Sequence, residues 1–78
     1  MNAGATFLFT NHALAMLAER QIDQAWVEQT LIEPDWTEYD PAPDRMRAFR
    51  AIPEAENHIL RVVYRRHAGE FRLNYAIL

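Results

Sequence analysis

The sequence predicts an α+β fold: two N-terminal helices packed on a three- to four-stranded antiparallel β-meander. Three observations carry this expectation. Between residues 10 and 33, apolar side chains recur at helical spacing behind two good N-caps. After Pro34 the pattern changes to the alternation of strands. Proline pairs and Gly69 then divide the second half into short runs separated by turns.

Phe7-Leu8-Phe9 is apolar and short, and reads either as a strand stub or as a packed lead-in. Thr10 is suited to cap the first helix, because its hydroxyl can accept from a free N–H in the first turn. Phe9 before the cap and Leu14 after it form a hydrophobic staple. The helix spans about residues 11–20, with Leu14, Leu17 and Ala18 as its apolar stripe and Ala13 beside it. Ile22 and Asp23 repeat the device: Asp23 caps, and Ile22 staples to Val27. The second helix runs to about residue 32 and stops before Pro34. So short a link between helices makes a compact αα-hairpin, at residues 10–33.

The sheet is expected over residues 36–78. Trp36-Thr37-Glu38-Tyr39 alternates, and residues 40–44 form a Pro-rich turn. Residues 45–52 are a strand stopped by Pro53, with side chains that fit neither face cleanly. Residues 58–65 are the clearest strand, rich in β-branched and aromatic side chains. His67-Ala68-Gly69 turns the chain into a last strand over residues 70–77. Alternation directs Leu60, Val62, Tyr64, Phe71, Leu73, Tyr75 and Ile77 toward the helices. Arg61, Arg65 and Arg72 then share the other face, extended by Arg45 and Arg47.

The 78 residues make one domain, residues 1–78, and half of them are hydrophobic, which excludes a disordered chain. There are no cysteines, hence no disulfide, thiolate metal site or cysteine nucleophile. No apolar run approaches the roughly 18 residues of a membrane span. Residues 1–6 lack the basic start of a signal peptide, so a cytoplasmic location is expected. Gly4 and Gly69 are the only glycines, which excludes a glycine-rich phosphate loop, and no ligand spacing points to a metal. No cofactor is expected.

The net charge of -3 argues against a broad non-specific nucleic-acid surface. Its distribution is uneven. Residues 1–40 hold seven acids and one base; residues 41–78 hold four acids and seven bases, all arginine. Arginine is the residue that forks onto phosphate or carboxylate, though a compositional bias would give the same count. Arg61 and Arg65, with Arg45, Arg47 and Arg72, are therefore candidates for anion or partner binding, against the alternative of a solvated face with cross-strand ion pairs. His12 reads either as a capping residue or as a general acid/base. Arg20 lies two turns on, either as a helix C-terminal charge or as an anion contact beside His12.

Phe9-Thr10-Asn11-His12-Ala13, followed by Glu19-Arg20-Gln21-Ile22 and Trp26-Val27-Glu28, resembles the opening of a small bacterial domain of unknown function, DUF4258, whose pattern is F-[ST]-x-H-A-x-x-R-M-x-x-R-x-I. Met16-Leu17 stands where that pattern has Arg-Met. The helices-then-sheet order is also similar in layout to BrnT-type ribonuclease toxins of the RelE-like group. Two functions follow from these resemblances. One is a non-enzymatic module that binds a protein partner, either an antitoxin or a second copy. The other is a metal-independent ribonuclease that binds RNA, with His12, Arg61 and Arg65 catalytic. The acidic net charge, and the end of the chain directly after the last strand, favour the first.

Overall fold

A computed structural model describes residues 5–78. Residues 1–4, part of the segment read above for a targeting signal, lie outside the described residues. The elements in chain order are β1 (Thr6–Leu8), α1 (Asn11–Glu19), α2 (Gln24–Ile32), β2 (Trp36–Tyr39), β3 (Met46–Ile52), a 3₁₀ turn (Pro53–Ala55), β4 (His58–His67) and β5 (Glu70–Ile77).

The α+β class and the two helices are as expected; the sheet differs. It has five strands in the order β1-β5-β4-β3-β2 and is mixed, because β1 pairs in parallel with β5. The three- to four-stranded antiparallel meander describes only β2 to β5. The strand-stub reading of residues 7–9 is the one realised, one residue earlier, and the partner of β1 lies at the far end of the chain, which local sequence does not announce. What recruits it is Phe7, whose ring stacks on its register partner Phe71 at 5.6 Å.

The helices form where local chemistry directs them. The Thr10 hydroxyl accepts from the Ala13 N–H at 3.0 Å, and the Asp23 carboxylate accepts from the Ala25 N–H at 2.8 Å. α1 ends in a Schellman motif: Ile22 N–H donates to the Leu17 carbonyl and Gln21 N–H to that of Ala18. Gln21 sits there at φ 57°, a left-handed position usually filled by glycine. Ala13 and Leu17 are the residues α1 buries, while Leu14, expected in the stripe, is 38% exposed. α2 buries Val27, Thr30 and Leu31; the buried Thr30 hydroxyl is satisfied by the Trp26 carbonyl at 2.7 Å.

Both helices lie on one face of the sheet, α1 on β5 and α2 on β3 and β4. The core between the layers gathers Leu17, Ile22, Val27, Leu31, Ala48, Ile52, Leu60, Val62, Tyr64, Phe71, Leu73 and Ala76. Register resolves the ambiguous third strand. Ala48 pairs with Val62 and Arg50 with Leu60, so Met46, Ala48, Arg50 and Ile52 face the helices. Arg50 is accommodated there because its guanidinium donates to the Glu33 carbonyl, an unpaired acceptor at the end of α2.

The last strand departs from simple alternation. Val63 pairs with Tyr75 but Tyr64 with Leu73, which leaves Asn74 as an extra residue in β5. Phe71 and Leu73 face the core before this bulge and Ala76 after it. Tyr75 and Ile77, expected to pack on the helices, are turned to the opposite face. The β4–β5 connection is also tighter than expected: His67 pairs with Glu70, and Ala68 and Gly69 alone make the turn at φ 49° and 84°. Positive φ at both central residues matches the right-handed twist of the flanking strands.

Leu60 is fully buried at the centre of the core. Leu60→Ala should cost about 2–5 kcal/mol in urea unfolding. Gln21→Gly should instead stabilise by about 1 kcal/mol, because it relieves the left-handed penalty while keeping the Schellman hydrogen bonds. A melting temperature that does not rise in this variant would contradict the motif.

Candidate functional site

The face of the sheet away from the helices carries no covering element among the described residues. Its cross-strand rows follow from the register. One row is Trp36, Phe49, Arg61 and Ile77; the next is Glu38, Arg47, Val63 and Tyr75; the third brings Arg65 opposite Arg72, with Leu8 beyond. Trp36 and Phe49 stack with ring planes 5° apart and centroids at 4.7 Å. Val63 is fully buried although it lies outside the helix-side core. Its register partners are Arg47 and Tyr75, so long neighbouring side chains close over it in place of a helix.

The basic residues named from the sequence divide into two groups. Arg47 is internally engaged: its Nε donates to Asp40 at 2.9 Å, with Glu38 at 3.8 Å. The Ala42 backbone N–H and then Arg47 hold the Asp40 carboxyl below the usual carboxylate range, and Asp40 in turn holds the Arg47 guanidinium more firmly charged. This pair pins the β2–β3 loop, so Arg47 is poorly placed to meet a partner. Arg20 is also engaged. Its Nη1 donates to the Ala76 carbonyl at 2.7 Å, which ties the end of α1 to β5 just past the bulge. Of the six residues that match the family opening, Thr10 caps α1, Phe9, Ala13 and Ile22 pack in or against the core, and Arg20 anchors to the sheet.

His12 is the sixth. It is exposed on α1, on the helical side of the sheet, whereas Arg61 and Arg65 occupy the opposite face. The three residues proposed as a catalytic set are therefore not brought together.

The second basic group gathers where the β2–β3 loop meets the β4–β5 hairpin. A cleft of about 750 Å³ is lined there by Arg45, Arg65, Arg66 and Arg72, with Tyr39, Asp40, Asp44 and His67. Arg72 reaches Glu70 at 3.2 Å, and the Arg66 guanidinium lies 4.5 Å over the Phe71 ring. Among the described residues, Arg45, Arg61, Arg65 and Arg66 have no carboxylate within 4.0 Å. Arg66 is not among the arginines singled out from the sequence. The run Arg65-Arg66-His67 immediately before the hairpin turn was the available signal, since a strand end displays consecutive side chains that alternation would otherwise separate. No group of three His, Asp or Glu side chains among the described residues is placed to hold a metal ion. No helix among them is long and apolar enough to cross a membrane.

The arrangement defines a two-layer α+β domain with one sheet face covered by helices, the other open, and arginines concentrated at one end of the sheet. The family model of the domain of unknown function DUF4258 matches residues 9–73, and the chain belongs to that family. No curated protein and no solved structure matches it.

Two outcomes check these assignments. Because Asp40 has its folded-state pKa lowered below 3.8, its contribution is present above the unfolded value and is lost as pH falls through the folded one. The stability difference between wild type and Asp40→Asn should thus be constant above about pH 5 and shrink below about pH 4 in urea titrations. Arg20→Ala should destabilise by about 1.5–3 kcal/mol, the range of one hydrogen bond from a charged donor. A hydrogen-exchange readout should show faster opening at β5 and the end of α1.

Proposed function

We propose that the domain is a non-enzymatic interaction module whose uncovered sheet face docks a partner protein. The observation that carries this reading is the composition of that face. Stacked Trp36 and Phe49 lie beside Arg61 and Ile77, and Tyr75 lies in the next row beside the buried Val63. Aromatic and arginine side chains around a desolvated centre are the residue types that dominate binding energy at protein interfaces.

The charge of the face selects the kind of partner. Two copies meeting face to face would oppose Arg61, Arg65 and Arg72 with themselves, and like charges brought together cost affinity. A partner with an acidic rim around an apolar patch meets both the aromatic centre and the unpaired arginines. A ribonuclease has less support, because His12 lies across the sheet from Arg61 and Arg65.

The test has two arms. A partner captured in cells by the wild-type domain and reconstituted from purified components should bind at least about tenfold more weakly to Trp36→Ala and to Arg61→Glu. Glu19→Gln on the outer side of α1 should bind as wild type. Equal affinity of the Trp36 and Arg61 variants would place the interface elsewhere. In the second arm, induced expression should leave cellular RNA intact; RNA breakdown that Arg61→Ala abolishes would overturn the non-enzymatic reading.

A further inference from the structure

We propose that the cleft between the β2–β3 loop and the β4–β5 hairpin is a phosphate-binding site for a nucleotide. This goes beyond docking on the open face: Arg65 and Arg72 border both surfaces, whereas Arg45, Arg66, Tyr39 and His67 belong to the cleft.

The first argument is charge that the chain leaves unbalanced. Of the carboxylates in the cleft, Asp40 is taken by Arg47, and of the arginines, Arg72 has Glu70. Arg45, Arg65 and Arg66 remain against Asp44 alone. The surplus is two positive charges. A phosphate monoester carries about -1.5 to -2 at neutral pH and matches it; a single carboxylate does not.

The second argument is geometry. Arg65 and Arg72 are direct register partners, so two guanidinium stems rise side by side from the same sheet face. Like charges directly opposite in a ladder are destabilising. An oxyanion seated between them converts that repulsion into charge-assisted hydrogen bonds, and the planar fork of arginine suits phosphate oxygens. Arg45 adds a buried Nε–H that has no acceptor. Such a donor carries a desolvation cost, and a rotation of the side chain into the cleft gives it an acceptor on an oxyanion.

The third argument concerns what is attached to the phosphate. Tyr39 lines the same cleft at the edge strand and is 84% exposed. A large aromatic ring held in water beside a cationic cleft offers a stacking surface for a base. His67, also in the cleft, supplies a further ring N–H donor. The charge is supplied by the monoester of a free mononucleotide or by two adjacent diesters, one charge each, of a single strand, and the two sources give different binding behaviour.

Calorimetric titration of the purified chain at about 50 mM salt tests the site with four probes: inorganic phosphate, adenosine monophosphate, a single-stranded oligonucleotide of about ten nucleotides and a polyglutamate peptide. The phosphate probes should bind, and Arg65→Ala and Arg45→Gln should each weaken them about tenfold. Neither arginine has an ion pair among the described residues, and a cooperative thermal melt confirms that both variants fold. Tyr39→Ala should weaken the two nucleotide probes but not inorganic phosphate. An oligonucleotide that binds no tighter than the monophosphate identifies a small nucleotide. Tighter binding with a steep salt dependence identifies a strand. The proposal is overturned if no phosphate probe binds, if polyglutamate binds as tightly, or if the arginine variants bind unchanged. Because Arg45→Gln and Tyr39→Ala leave Trp36, Arg61 and Arg65 untouched, these two variants read loss of the cleft separately from loss of partner docking.

Discussion

The register shift between β4 and β5 is the constraint on which the two faces of this domain depend. β4 is the central strand and pairs on both sides, so its side chains set the faces for the whole sheet. One extra residue, Asn74, reverses the facing of everything beyond it in β5. Without the bulge, Tyr75 and Ile77 would face the helices and Ala76 would face away. With it, small Ala76 meets α1, and its carbonyl lies within reach of Arg20. The helical layer therefore approaches the sheet closely at the point where a tyrosine would have held it off. The displaced Tyr75 in turn helps to close the opposite face over Val63. One insertion thus serves helix docking on one side and an aromatic surface on the other.

The arginines divide along the same physical line. Arg20, Arg47 and Arg50 each find an acceptor within the chain: the Ala76 carbonyl, Asp40 and the Glu33 carbonyl. Each brings together segments that hydrophobic packing alone would leave loosely joined, namely a helix end and a strand, a loop and its own strand, and a helix C-terminus and the sheet. Arg45, Arg61, Arg65 and Arg66 find no carboxylate among the described residues. Arg65 and Arg66 lie at the hairpin end of β4 and Arg45 just before β3, where the sheet runs out and no helix reaches. The excess of acid over base in the first 40 residues does not neutralise them, because most of those acids sit in the helical layer on the far side of the sheet.

The family opening acquires a structural meaning from this arrangement. Ala13 lets α1 lie close to the sheet, Ile22 closes the Schellman motif against Leu17, and Arg20 anchors the turn to β5. Met16, where the pattern has arginine, is partly buried against the core, so its side chain packs rather than carrying charge to the surface. His12, by contrast, is exposed on α1.

The sequence by itself determined the helices, their caps, the break after Pro34, the strands β2 to β5 and the arginine-rich second half. These depend on neighbours within a few residues: a threonine or aspartate before an apolar run, a proline that lacks an N–H, alternation along one strand. Tertiary structure alone decided the fifth strand, the bulge, the facing of Tyr75 and Ile77, and which arginines remain unpaired. Each of those depends on a partner many residues away. β1 exists because Phe7 finds Phe71, Arg20 is engaged because the Ala76 carbonyl lies within reach, and Arg66 joins the cleft because the hairpin end meets the β2–β3 loop. Alternation assigns faces only while the register holds, and a single unpaired residue is invisible until the two strands are laid side by side.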